Sequence, residues 1–133
     1  MNDTARALMR IDGANANFKA REVAITLSVP LNDDQLEGLE FVTGLAGDSE
    51  QIQVSCFLPD LPPSADYGPN NSAVAEMWVK AARADYKTKR TPVSLACILT
   101  PETLKALEFV LMRAQTGAHV EVNFLRLQAG FDL

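Results

Sequence analysis

One stretch of this chain occurs twice. Leu36-Glu37-Gly38-Leu39-Glu40-Phe41-Val42 returns as Leu104-Lys105-Ala106-Leu107-Glu108-Phe109-Val110, and the match runs without a gap over residues 23–58 and 91–126. Nine of the 36 aligned pairs are identical, where unrelated segments of ordinary composition would share about two. Ile25/Val93, Thr26/Ser94, Asp34/Glu102 and Ile52/Val120 are conservative pairs. The pattern reads as an internal duplication, so whatever one copy forms the other is expected to form, in a domain with pseudo-two-fold symmetry.

Inside each copy the hydrophobic period changes from two to about 3.6 and back. Val23, Ile25, Leu27, Val29 and Leu31 alternate with smaller or polar residues, which predicts a strand with one apolar face. Asn32 is placed to cap a helix, with Asp33 and Asp34 in its electropositive first turn and Gln35 closing a capping box. That helix is predicted to reach about Leu45, where Gly44 and Gly47 offer a left-handed end. Ile52, Val54, Cys56 and Leu58 predict the next strand. In the second copy Val93, Leu95, Cys97 and Leu99 alternate, Thr100-Pro101-Glu102 starts a helix that stops at Gly117, and Val120, Val122 and Phe124 close the unit.

The remaining segments are less regular. Residues 1–22 read as an arm or an edge hairpin, with Ala7–Ile11 as strand and Asp12–Asn17 as turn. Residues 59–71, PDLPPSADYGPNN, form a proline-rich connecting loop. Residues 72–90 read as a linking helix over about 73–86, because Val74, Met77, Trp78 and Ala81 fall at helical spacing, followed by a basic segment. Residues 91–127 hold the second repeat and 128–133 a tail. The expected fold is a single α/β domain: a two-layer sandwich of two β-α-β units joined by a helix, with helices on one face of a mixed sheet. A right-handed crossover would make the two strands of each copy parallel.

Two features point toward function. On a continuous helix, Phe41 and Phe109 lie nearly opposite the Leu/Val face in both copies. With Leu45 they are candidate interface residues for a homo-oligomer or a protein partner. The alternative is that neighbouring helices cover the rings within one subunit. The second feature is charge: Lys80, Arg83, Lys87, Lys89 and Arg90 gather around Tyr86, with Asp85 as the opposing acid. Cations interleaved with an aromatic ring are what single-stranded nucleic-acid binders use.

Other chemistry has no motif here. The net charge of −5 argues against whole-surface attraction to nucleic acid or anionic membrane. The chain has one histidine, His119, and two cysteines, Cys56 and Cys97, both in phase with inward strand positions. No catalytic residues, metal site or cofactor are therefore expected, and Glu40 and Glu108 read as solvated rim residues. No apolar run approaches the ~20 residues of a membrane helix, and a reducing, cytoplasmic setting fits the two thiols. The sequence reading is a non-enzymatic binding module that self-associates, with nucleic-acid binding through Lys80–Arg90 and a small enzyme of dispersed carboxylates as alternatives.

Overall fold

All four strands expected from alternation within the two repeats are present, but they belong to a different architecture. The computed structural model describes residues 4–31, 39–47, 50–59, 72–114 and 116–127. Its strands are β1 (Thr4–Asn17), β2 (Glu22–Pro30), β3 (Gln51–Phe57), β4 (Ser72–Ala82), β5 (Arg90–Ile98) and β6 (His119–Arg126). The helices are short: α1 (Glu40–Thr43), α2 (Pro101–Ala106) and α3 (Glu108–Leu111). The expected helix caps at Asn32 and Gln35, the loop over 60–71 and the tail lie outside the described residues.

The strands close into a barrel in the order β1-β2-β5-β4-β3-β6, and every neighbouring pair is antiparallel. This overturns the expected α/β sandwich. The two strands of each copy are not neighbours: β2 pairs with β1 and β5, and β3 with β4 and β6, so the right-handed parallel crossover rule does not apply. The face expected to carry helices is the barrel interior, filled with side chains as small barrels are. Residues 72–82, expected as a linking helix, are a strand; Ala73, Met77 and Val79 point inward and are buried.

β4 is the counterpart of β1, so the duplication covers the whole barrel. At the 68-residue offset Ala5/Ala73, Ala7/Ala75, Met9/Met77, Ala14/Ala82 and Ala16/Ala84 are identical. Arg10 pairs with Ser28 and Trp78 with Ala96, and then each register slips at one residue, Asp12 in β1 and Lys80 in β4. These are equivalent β-bulges, which bend a strand and raise its twist so that six strands can close. The β2–β5 register is self-symmetric about Thr26↔Ser94, and the β3–β6 register about Ser55↔Asn123. The pseudo-two-fold axis therefore enters the wall at one pair and leaves at the other.

The copies run antiparallel across that axis, so their crossovers leave from opposite ends of the barrel. Leu39, Phe41, Val42 and Leu45 from one, and Leu107, Phe109 and Val110 from the other, join the core of inward strand residues. Thr100 caps α2 as expected: its Oγ1 accepts from the Thr103 N–H at 3.1 Å, while Thr103 Oγ1 accepts from the Thr100 N–H at 2.8 Å. The helix then breaks at Leu107 (φ −101°, ψ 8°), and Leu39 has the same conformation (φ −102°, ψ 9°). Counting ~100° per residue through these positions misplaces everything beyond them.

That break explains the phenylalanines. Phe41 and Phe109 are 7% and 1% exposed, so both rings belong to the core and not to an interface, and Leu45 is buried with them. An arginine lies over each ring. The Arg126 guanidinium lies 5.2 Å from the Phe41 centroid, and that of Arg113 4.2 Å from Phe109, distances at which a cation is drawn to an aromatic face.

Candidate nucleic-acid interface

The basic segment 80–90 is the end of β4, a tight turn and the start of β5. In the turn, Asp85 Oδ1 accepts from the Lys87 N–H at 2.9 Å and from the Thr88 N–H at 3.3 Å. Lys89 closes it with φ 59°. The β1–β2 turn repeats this at the same offset: Asn17 Oδ1 accepts from the Ala20 N–H at 3.0 Å, and Arg21 has φ 55°. Asn and Asp hold such turns because their side chains bond backbone N–H groups a few residues ahead.

The two tips read Asn17-Phe18-Lys19-Ala20-Arg21 and Asp85-Tyr86-Lys87-Thr88-Lys89. Each presents an aromatic ring to solvent, Phe18 at 71% and Tyr86 at 76% exposure. Lys19, Arg21, Lys87 and Lys89 are exposed around those rings. None of the four has a side-chain partner among the described residues.

Of the six residues expected from sequence, the structure keeps four at the surface and occupies two. Arg83, Tyr86, Lys87 and Lys89 are exposed near the second tip. Lys80 Nζ is 2.8 Å from Glu22 Oε1. Arg90 Nε donates to Ser28 Oγ at 2.8 Å and its Nη2 to the Ser28 carbonyl at 3.2 Å. These two cations are tied to the barrel wall, and the segment is strand and turn, not the linking helix expected to reach about residue 86. Phe18, Lys19 and Arg21 were missed because residues 1–22 read as separate from the duplication. Carrying the offset upstream of Val23 would have found them, Lys19/Lys87 being an identity.

Between the tips lies the outer face of β2 and β5. Its central positions hold small residues, Ala24, Thr26 and Ser28 from one strand and Pro92, Ser94 and Ala96 from the other, of which Ser28 and Ala96 are buried, while Ile98 is exposed at its end. Thr26 Oγ1 and Ser94 Oγ meet at 3.5 Å on the two-fold axis. Each tip is tied to the far end of the other copy's strand, since Leu99 N–H donates to the Arg21 carbonyl at 2.8 Å and Leu31 N–H to that of Lys89 at 2.9 Å. Arg21 and Leu31 are ten residues apart along β2, so the two cationic turns stand about 30 Å apart at ~3.3 Å per residue.

Among the described residues nothing comparable gathers for catalysis. Cys56 is a free buried thiol pushed up to about 12 by burial, and burial also raises Cys97 against a hydrogen bond from Thr103; neither is a poised nucleophile. His119 is exposed at the start of β6, and Glu40 and Glu108 are exposed on their helices. Among the described residues no three His, Cys, Asp or Glu side chains cluster as metal donors, and no helix is long and apolar enough to cross a membrane. Against protein-family models, curated proteins and solved structures, the chain finds no match.

Proposed function

We propose that this protein is a non-enzymatic binding module for single-stranded nucleic acid, gripped by the two hairpin tips. The observation that carries this reading is the left-handed conformation of Arg21 and Lys89. A side chain with a Cβ costs roughly 1–2 kcal/mol there, and Gly or Asn would relieve it. Both turns nonetheless place a cation at that position, beside an exposed ring and a lysine. Residues held in such strained conformations cluster at functional sites.

The chemistry matches. Phosphates are met by Lys and Arg, and bases stack on exposed aromatic faces, worth about 1–3 kcal/mol per base. Residues 17–22 and 83–90 together carry a net charge of +4 against −5 for the chain. The attraction is thus confined to the tips, and the acidic remainder resists indiscriminate binding. Self-association through Phe41, Phe109 and Leu45 is set aside because those side chains are core. A closed barrel also has no strand edge to offer a second copy.

Fluorescence anisotropy with a labelled oligothymidylate tests the proposal. Four tip cations give an expected slope of about −3 in log K against log salt. Reversing all four, with Lys19→Glu, Arg21→Glu, Lys87→Glu and Lys89→Glu, should abolish binding while leaving the circular dichroism unchanged. No binding by the native protein at ~50 mM salt would overturn the proposal.

A further inference from the structure

We infer, resting on the reading above, that one nucleic-acid strand bridges both tips by lying along the outer β2–β5 wall, and that this recognition is independent of base sequence and of strand direction. Three observations lead there. The tips flank one continuous surface, because β2 and β5 are hydrogen-bonded neighbours over their full length. That surface is floored by Ala24, Thr26, Pro92 and Ser94, whose side chains are short and uncharged and let a backbone approach closely. The larger charged groups on it are already paired: Lys80 reaches across β5 to Glu22, and Arg90 reaches onto β2 at Ser28, each near one end of the wall.

Symmetry fixes the kind of recognition. The tips are related by a two-fold axis through Thr26 and Ser94, while a single strand has a 5′-to-3′ sense. A strand running from one tip to the other meets them in opposite orientations. Contacts that read base edges would fit at one tip and fail at the other. Phosphate charge and base faces serve both, and these are the groups Lys, Arg, Phe18 and Tyr86 address. A strand stacked at ~3.4 Å per nucleotide needs about nine nucleotides to cover ~30 Å, within the usual 4–16 for single-strand binders.

Two linked weak sites gain about 10²–10⁴ in affinity over one when a ligand spans both, and nothing when it is too short. The experiment is a titration of the full chain with oligothymidylates from about 4 to about 16 nucleotides, for the native protein and for each single-tip pair, Lys19→Glu with Arg21→Glu and Lys87→Glu with Lys89→Glu. The expected result is a rise of at least tenfold near the spanning length. Either pair should remove the rise and leave short-oligomer binding within about twofold. Random-sequence oligomers should match oligothymidylate, and reversing the sequence should change nothing. A smooth dependence on length, with each pair simply halving the sites, would overturn the bridge and leave the tips as independent binders. Absence of binding at every length would overturn the parent reading. Tighter binding to a duplex of the same length would overturn the single-strand assignment.

Discussion

The two halves of the barrel agree in some places and diverge in others, and the pattern separates what the fold requires from what it does not. Inside, the halves agree where space is short: Ala5/Ala73, Ala7/Ala75 and Met9/Met77 line the same positions of the narrow interior. On the wall they agree only in complementarity. Lys80 of one half pairs with Glu22 of the other at 2.8 Å. The equivalent positions hold Asp12 near Arg90, the same pair with its signs exchanged. An ion pair needs opposite charges and not a given order of them. At the tips the halves agree again, in ring, lysine and strained cation, where neither packing nor pairing demands it. That third kind of agreement is what a ligand would maintain.

The largest expected effect breaks the comparison at the core. Phe109→Ala should cost about 3–5 kcal/mol, with Phe41→Ala slightly less, read from urea midpoints at unchanged m-value. Unchanged stability for both would return these rings to the surface role read from sequence. Next comes a position where the halves differ. Thr91 is fully buried with Oγ1 unpartnered among the described residues, and its counterpart is Val23. Thr91→Val should therefore stabilise by about 1–2 kcal/mol, and Val23→Thr should cost a similar amount; a destabilising Thr91→Val would mean the hydroxyl has a partner.

Smaller effects belong to the exchanged pairs. Glu22→Lys should lower stability by up to ~1 kcal/mol through repulsion with half-exposed Lys80, and adding Lys80→Glu should recover it. At the other pair, burial raises the Asp12 carboxyl. Hydrogen bonds from Arg10 and Ser28 and the charges of Arg10 and Arg90 outweigh it, so the net direction is below 3.8. A depressed carboxylate lends stability above its unfolded pKa and loses it as pH falls through the folded one. Asp12→Asn should therefore flatten the loss of stability below about pH 4 slightly, and an unchanged acid profile would show that Asp12 is not coupled to folding.

Much of the barrel was legible as strands and little of it as a barrel. β2, β3, β5 and β6 alternate clearly because most of their inward residues are large and apolar and most of their outward ones small or polar. β4 does not: Ala73 and Ala75 inside contribute little contrast, and Val74 and Trp78 outside mimic an apolar helical stripe. Losing one strand turned six into an open sheet and hid the equivalence of β1. The helix wheel failed for a separate reason, since Leu107 interrupts its helix at an angle that periodicity does not register, and Leu39 holds the same backbone conformation. The candidate site was half legible. Lys87 and Lys89 stood out as a cluster, whereas Lys19 and Arg21 sit beside Glu22 and gain meaning only when laid on their copies.

The most direct test of the account uses the strained cations themselves. Arg21→Asn with Lys89→Asn replaces both left-handed residues by one that accepts the conformation at lower cost. If the cations are held there for a ligand, the double variant should melt a few degrees higher while binding oligothymidylate at least tenfold more weakly. Undiminished binding, with or without the gain in stability, would contradict the claim that these tips are the site.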